Sequence, residues 1–291
     1  MDKPVIIGTG LSGLVGSRIL DVLSNKYSFQ NLDLTTGVDI TDEEQVMQAA
    51  QSSPAVAIIH CAAFTDPTAA WQQRGDKNGL CYKVNVLGTE NLARAAQKTQ
   101  KHFIHLSTAF VFDGEKEGLY IETDPVHPIE WYGETKALAE QAVQQECDSW
   151  TIFRIDQPFR SDVYEKKPDT THKIIQGLKQ KTLYPQFTDH WFSPTVIEDF
   201  SQVVDWAVEN KPNDIFHATC GVKVSDYEYA AMINDVLQLD APIQQGSLAE
   251  YLKTATRPYQ RNTALDSSKL SSAANMRWTS LEDAIRKISS N

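Results

Sequence analysis

Residues 4–23 read Pro-Val-Ile-Ile-Gly-Thr-Gly-Leu-Ser-Gly-Leu-Val-Gly-Ser-Arg-Ile-Leu-Asp-Val-Leu, and no other stretch restricts the fold so strongly. A short apolar strand runs into a turn with glycines at 10, 13 and 16, and an amphipathic helix follows. Glycines at that spacing permit a tight turn and close backbone approach, and they leave the helix N-terminus free to face a pyrophosphate. The pattern predicts a dinucleotide-binding βα unit in which Gly10, Leu11, Ser12, Gly13, Leu14 and Val15 meet the cofactor. A second strand, about Ser28 to Leu34, places Asp33 some twenty residues beyond Gly13, where an acid hydrogen-bonds ribose hydroxyls. No Lys or Arg occurs between Lys26 and Arg74, which favours NADH over NADPH. Asp39 and Ile40 are candidates for the adenine edge, and capping of the next helix by Thr41 or Asp42 is the alternative reading of that neighbourhood.

Beyond Asp33, strands and helices alternate. A polar helix at about 42–51 precedes the strand Ala55–His60, and a long helix at about 80–99 precedes the strand Phe103–Thr108. A helix at about 133–147 leads to the strand Trp150–Arg154. This alternation predicts an α/β fold, a doubly wound, Rossmann-like parallel sheet whose ligands gather beyond the strand C-termini. Cys61, Ala62 and Ala63 fall at such an end, and their small side chains let a cofactor approach; His60 reads as a structural hydrogen-bonder rather than a catalyst. Asn85 lies on the apolar stripe of its helix and needs a partner. It either bonds the neighbouring strand's backbone near the cofactor or is satisfied within the core. The simple alternation is lost after Arg154. Helices at 173–180, 199–208 and 225–236 and a strand at 215–218 suit a smaller C-terminal substrate lobe, with residues 1–157 and 193–219 in the dinucleotide-binding domain and 158–192 and 220–291 in the lobe. The charged stretch from Asp162 to Thr171 is the best candidate for a mobile loop.

At 291 residues and 41% hydrophobic, the chain can bury one sizeable core with an appended lobe. Its net charge of −11 argues against general attraction to nucleic acid or to a membrane surface, so a small-molecule partner is expected. The four cysteines, at 61, 81, 147 and 220, show no metal-ligand spacing, and no metal is expected. The first strand begins almost at once and no apolar run approaches the roughly 20 residues that span a bilayer, which makes the cytoplasm the expected location.

The chemistry centres on Thr108, Tyr132 and Lys136. Tyr132 opens a helix, so Lys136 lies one turn on, on the same face. A phenol titrates near pH ~10, and using it near neutrality requires about 4 kcal/mol. An ammonium about 4–5 Å away, at an effective dielectric of ~20, supplies roughly 3–4 kcal/mol. Thr108, at the end of its strand, can present a hydroxyl to a carbonyl oxygen.

Thr9-Gly10-x-x-Gly13-x-x-Gly16, His60-x-Ala-Ala63, Asn85-Val-Leu-Gly-Thr, Ser107-Thr108 and Tyr132-x-x-x-Lys136 together resemble the extended short-chain dehydrogenase/reductase superfamily. Leu106-Ser-Thr-Ala-Phe-Val-Phe-Asp-Gly114, Asp189-His-Trp-Phe-Ser-Pro-Thr195, Ile215-Phe-His-Ala218, Asp226-Tyr-Glu-Tyr229 and the stretch from Arg257 through Asn262 and Asp266 to Lys269 are most similar to the dTDP-4-dehydrorhamnose reductase family. The resemblance implies an NAD(P)-dependent reductase of a nucleotide-linked 4-keto-6-deoxy sugar. Thr108, Tyr132 and Lys136 would be its catalytic groups, Asn85, Tyr132 and Lys136 would contact the cofactor, and Thr108, Phe110, Gln157, Arg257 and Asn262 the substrate. A homodimer is a further expectation. Two positions depart from the family pattern: Gln157 stands where an aromatic residue beside the sugar is usual, and Ala109 where Asp usually follows the Thr. The same family includes the regulatory β subunit of methionine adenosyltransferase, so a nucleotide-binding regulator is a second reading, and a sugar-nucleotide epimerase a third. A dehydratase is disfavoured, because Ala109 and Phe110 occupy the places of its acid and base pair. His190, Trp191 and Phe192 either line the pocket or pack in the core.

Overall fold

The computed structural model describes residues 3–289. The strands are β1 (Val5–Thr9), β2 (Ser28–Asn31), β3 (Ala57–His60), β4 (His102–Thr108), β5 (Trp150–Ile155), β6 (Pro158–Phe159), β7 (Gln186–Phe187), β8 (Trp191–Phe192), β9 (Thr195–Val196), β10 (Asp214–His217), β11 (Val224–Ser225) and β12 (Gln245–Gly246). The helices are α1 (Leu14–Leu23), α2 (Glu43–Gln51), α3 (Pro67–Gln72), α4 (Leu80–Tyr82), α5 (Gly88–Lys98), α6 (Trp131–Glu146), α7 (Thr170–Gln180), α8 (Ile197–Asn210), α9 (Asp226–Val236), α10 (Leu248–Leu252), α11 (Ser268–Ala273) and α12 (Leu281–Ser289).

Six strands form one parallel sheet in the order β10-β5-β4-β3-β1-β2. Its inner strands are buried along nearly their whole length because both faces are covered. Ile6, Ile59, Ile104 and Phe153 face α1 and α8, while Ile7, Ile58, Phe103 and Ile152 face α2, α5 and α6. This is the doubly wound sheet that the alternation predicts. From β1 the chain moves outward to β2 and then returns to β3 on the other side, so a crevice opens between the C-terminal ends of β1 and β3. A third core gathers Phe159, Ile174, Leu178, Phe192, Tyr229, Ile233 and Ile285 from α7, α9, α12 and the short strands around them.

Some boundaries shift for local reasons. β2 ends at Asn31 because the Asp33 carboxylate captures the amides of Thr35 and Thr36 and turns the chain into a 3-10 helix over Leu34–Thr36. Asp42 supplies the cap of α2. The long helix at 80–99 contains a π-helical segment, Lys83–Leu87, between α4 and α5. The Thr89 hydroxyl donates to the Asn85 carbonyl at 2.7 Å within it.

Candidate active site

A cavity of about 730 Å³ opens over the ends of β1, β3 and β4. Gly10, with φ +66, turns the chain at its floor, where a Cβ would lie 2.5 Å from the Ala62 amide nitrogen. Gly13 precedes α1 without any side-chain cap, and the first turn of α1 carries no acidic residue. The orphan amides there suit an anion. Ser12, Gly13, Leu14 and Val15 line this wall, and Cys61, Ala62 and Ala63 line the one facing it. Leu11 is a correction: it does not line the cleft, because its side chain is 4% exposed and packs over Gly8.

Asp33, Asp39 and Ile40 close the far end. Burial alone would raise the Asp33 carboxyl, but hydrogen bonds from Thr35, Asn31 and Thr36 hold it below the usual range. Asp39 accepts from the amide and hydroxyl of Thr41 at 2.9 and 2.8 Å.

Thr108, Tyr132 and Lys136 come together on the wall formed by β4 and α6. Burial pushes the Tyr132 phenol up, the Glu130 charge adds to this, and the Thr108 hydroxyl, at hydrogen-bonding range, pulls it back. Lys136 is 2% exposed and its Nζ donates to the Leu106 carbonyl at 2.7 Å and meets His105 Nε2 at 3.1 Å. Burial brings this amine down to about 8, against the opposing pull of Glu140. His105 is held well below the usual histidine range by burial and by Lys136, so it is a neutral acceptor. The spacing of Tyr132 and Lys136 leads to the expectation of an ammonium that acidifies the phenol. The structure corrects this: Lys136 is engaged by β4, and burial with Glu130 keeps Tyr132 protonated.

Four further features escape a reading of the sequence. Glu130, 2% exposed, caps α6 through the amides of Tyr132 at 2.9 Å and Gly133 at 2.5 Å. Glu140 receives Arg154 at 2.9 and 2.6 Å and Ser107 Oγ at 2.5 Å, tying α6, β5 and the end of β4 into one buried ion pair. A charge four residues beyond Lys136 on the buried helix face was the available signal. Asp156 lines the cleft with its carboxyl pushed up to about 7 by burial, accepting from Thr263 Oγ1 at 2.7 Å and Ser193 N at 3.2 Å. Finally, Lys166, Lys167 and Lys173 reach the cleft from the segment after β6 and from α7.

The remaining expected residues divide. Phe110 and Gln157 line the cleft; Gln157 has φ +38, unusual for a side chain of its size, and its Oε1 accepts from Thr170. Asn85, Arg257 and Asn262 do not line it. Asn85 is fully buried behind the wall, bonding Phe64 N at 2.7 Å and Thr135 Oγ1 at 2.9 Å, so it braces the loop after β3 against α6. The Nδ2 of Asn262 donates to the carbonyls of Lys116 and Gly118, at 2.7 Å each, which makes it a clasp on that loop rather than a substrate ligand. Arg257 lies 3.6 Å over the Tyr259 ring and donates to the Pro258 carbonyl. Phe192 packs in the third core, His190 bonds Asp226 at 2.8 Å, and Trp191 lies under Lys223 and Arg261, all away from the cleft.

Residues 4–291 match the RmlD substrate binding domain family. The chain belongs to this family. It is 28% identical over 294 residues to a dTDP-4-dehydrorhamnose reductase of Aggregatibacter actinomycetemcomitans, with 96% of each chain covered. It is also 29% identical to the methionine adenosyltransferase 2 subunit beta of Xenopus laevis, covering 90% of this chain and 80% of that one. The fold matches that of a dTDP-4-dehydrorhamnose reductase from Bacillus anthracis solved with NADP, at a TM-score of 0.89 and 24% identity over 98% of each chain. The NADP in that complex lends no support to the NADH preference read from Asp33.

Proposed function

We propose that this protein is an NAD(P)H-dependent reductase of a keto group on a nucleotide-linked deoxy sugar, of the dTDP-4-dehydrorhamnose reductase type. The observation that carries the reading is that Thr108, Tyr132 and Lys136 share one cleft with the uncapped start of α1. Gly10, Ser12, Gly13 and the first amides of α1 would hold the cofactor's pyrophosphate, and Asp33 its adenosine ribose. The dinucleotide, when bound, supplies the hydride.

The rest falls to the protein's own groups. Tyr132, kept protonated by burial and by Glu130, gives its proton to the carbonyl oxygen as charge develops there. Thr108 Oγ1 orients that oxygen beside the phenol. Lys136, held by Leu106 and His105, presents a cation on the same wall. Each acts by position and charge.

The test is oxidation of NADPH and NADH in the presence of dTDP-linked 4-keto-6-deoxy sugars. Tyr132→Phe should lower kcat by about 10²–10⁴-fold with dinucleotide binding retained; full turnover in that variant would end the reading. The β-subunit relative and the departures at Ala109 and Gln157 support a second reading, a regulator that binds nucleotide. Wild-type protein that binds dinucleotide yet turns over no keto sugar in the panel would favour it.

A further inference from the structure

The segment between β6 and α7, which the sequence marks as a mobile loop, is tied across the glycine turn. Arg160, 4% exposed, donates to Ser17 Oγ at 2.8 Å and to the Leu14 carbonyl at 3.4 Å, and pairs with Asp21 and Asp162. Ser161 donates through its amide and hydroxyl to Glu198, which also receives Arg18 at 2.9 Å. The Tyr164 hydroxyl donates to the Ser12 carbonyl at 2.5 Å, inside the glycine turn itself. At the far end, Asp169 caps α7 and accepts the Arg160 amide.

This strap brings three ammonium groups to the cleft, Lys166 and Lys167 from its own backbone and Lys173 from the first turns of α7. None of the three side-chain amines has a hydrogen bond or an ion pair with another described residue. By contrast, Arg18, Lys26, Arg94, Lys116, Arg154 and Arg160 are all paired. Among the described residues no nearby acid pairs with the three lysines. Asp33, Asp39 and Asp169 each accept from backbone amides, and Asp156 is buried with a raised pKa. Glu165, in the strap itself, is exposed. In a chain of net charge −11, uncommitted cations beside a helix start that favours anions point to a phosphate-bearing ligand.

We propose that Lys166, Lys167 and Lys173 form a cationic rim that binds a phosphate of the dinucleotide held in the cleft. The inference rests on the reading of this cleft as a dinucleotide site, and it supplies the basic partners that the sequence around Asp33 lacks. Two phosphates qualify: the pyrophosphate common to NADH and NADPH, and the 2′-phosphate of NADPH alone.

The experiment is fluorescence titration of the full-length protein with NADH and with NADPH over a series of salt concentrations, comparing wild type with the triple variants Lys166→Ala/Lys167→Ala/Lys173→Ala and Lys166→Arg/Lys167→Arg/Lys173→Arg. All three positions are exposed, and equal melting temperatures would establish that the variants are folded. The alanine variant should bind roughly three- to a hundredfold more weakly, as loss of three screened ion pairs implies. Its log Kd should also depend less steeply on log salt, a change that a merely packing role would not produce. The arginine variant should keep the wild-type slope. Weakening of both cofactors assigns the rim to the pyrophosphate, and weakening of NADPH alone assigns it to the 2′-phosphate. Wild-type binding with unchanged affinity and slope in the alanine variant overturns the rim while leaving the cleft reading intact. Failure of the wild type to bind either dinucleotide overturns both.

Discussion

Lys136 shows how the burial of one side chain can cost stability. Its amine is fully enclosed, and burial lowers its pKa from 10.5 to about 8. Below pH 8 the native state holds a charge that the unfolded state would rather hydrate, so the folded form is penalised. Between about pH 8 and 10.5 the unfolded chain binds a proton that the native one lacks, and stability rises with pH until the penalty is gone. Lys136→Met should therefore match or exceed wild type in thermal stability at pH 7, with the difference shrinking toward pH 10.5, although the bonds to Leu106 and His105 are lost. It should also abolish turnover. A stabilised but inactive variant marks strain kept for function; melting curves across pH together with a rate assay check both halves. The sequence made the pairing of Tyr132 with Lys136 visible but not the direction of the ammonium, because His105 and the Leu106 carbonyl reach it from β4, thirty residues earlier.

Helix α6 carries the site, and its N-terminus is set by two features that periodicity does not reveal. Glu130 is not among the usual capping residues, yet its longer side chain still reaches two amides, so the helix starts at Trp131 and seats Tyr132 in its first turn. Gly133 is the second feature. Helix propensity alone would have Gly133→Ala stabilise α6 by about 1 kcal/mol. However, a Cβ there would lie 2.1 Å from the Phe110 carbonyl oxygen, which is backbone and cannot step aside. The clash should win. Gly133→Ala should lose roughly 1–3 kcal/mol in urea unfolding and lower kcat by moving Tyr132 relative to Thr108. The alternation of strands and helices was legible in the middle of the sheet, where β1, β3, β4 and β5 are buried along most of their length, and less so at its edge, where β2 is the half-exposed Ser-Phe-Gln-Asn. The π-helical turn at Lys83–Leu87 was not; it carries Asn85, whose partners Phe64 and Thr135 lie far off in the chain.

Across the whole molecule, the lining of the cleft near β1 and β3 was more legible in the sequence than the packing of the C-terminal segment. The glycine turn, Asp33 and Ala62 lie within local motifs, whereas Asn262 clasps residues 116–118, and that long-range register is not written near Asn262 itself. Asp156 lies where the sheet meets the C-terminal segment. It closes β5, and its Oδ2 accepts from Ser193 N, just before β9, and from Thr263 Oγ1 in the C-terminal segment. Burial raises its carboxyl to about 7, so the native state binds this proton more tightly than the unfolded chain, whose carboxyl titrates near 3.8. The stabilisation from the protonated form is complete below pH 3.8 and declines as pH rises, until above pH 7 the fold must carry a buried carboxylate. Asp156→Asn keeps an acceptor oxygen for both donors and removes that titration. Its melting temperature relative to wild type should therefore rise between pH 5 and pH 8, with the larger advantage at pH 8. A difference that stays flat with pH would show that Asp156 keeps its charge at no cost, and that the junction between the sheet and the C-terminal segment is wetter than its burial implies.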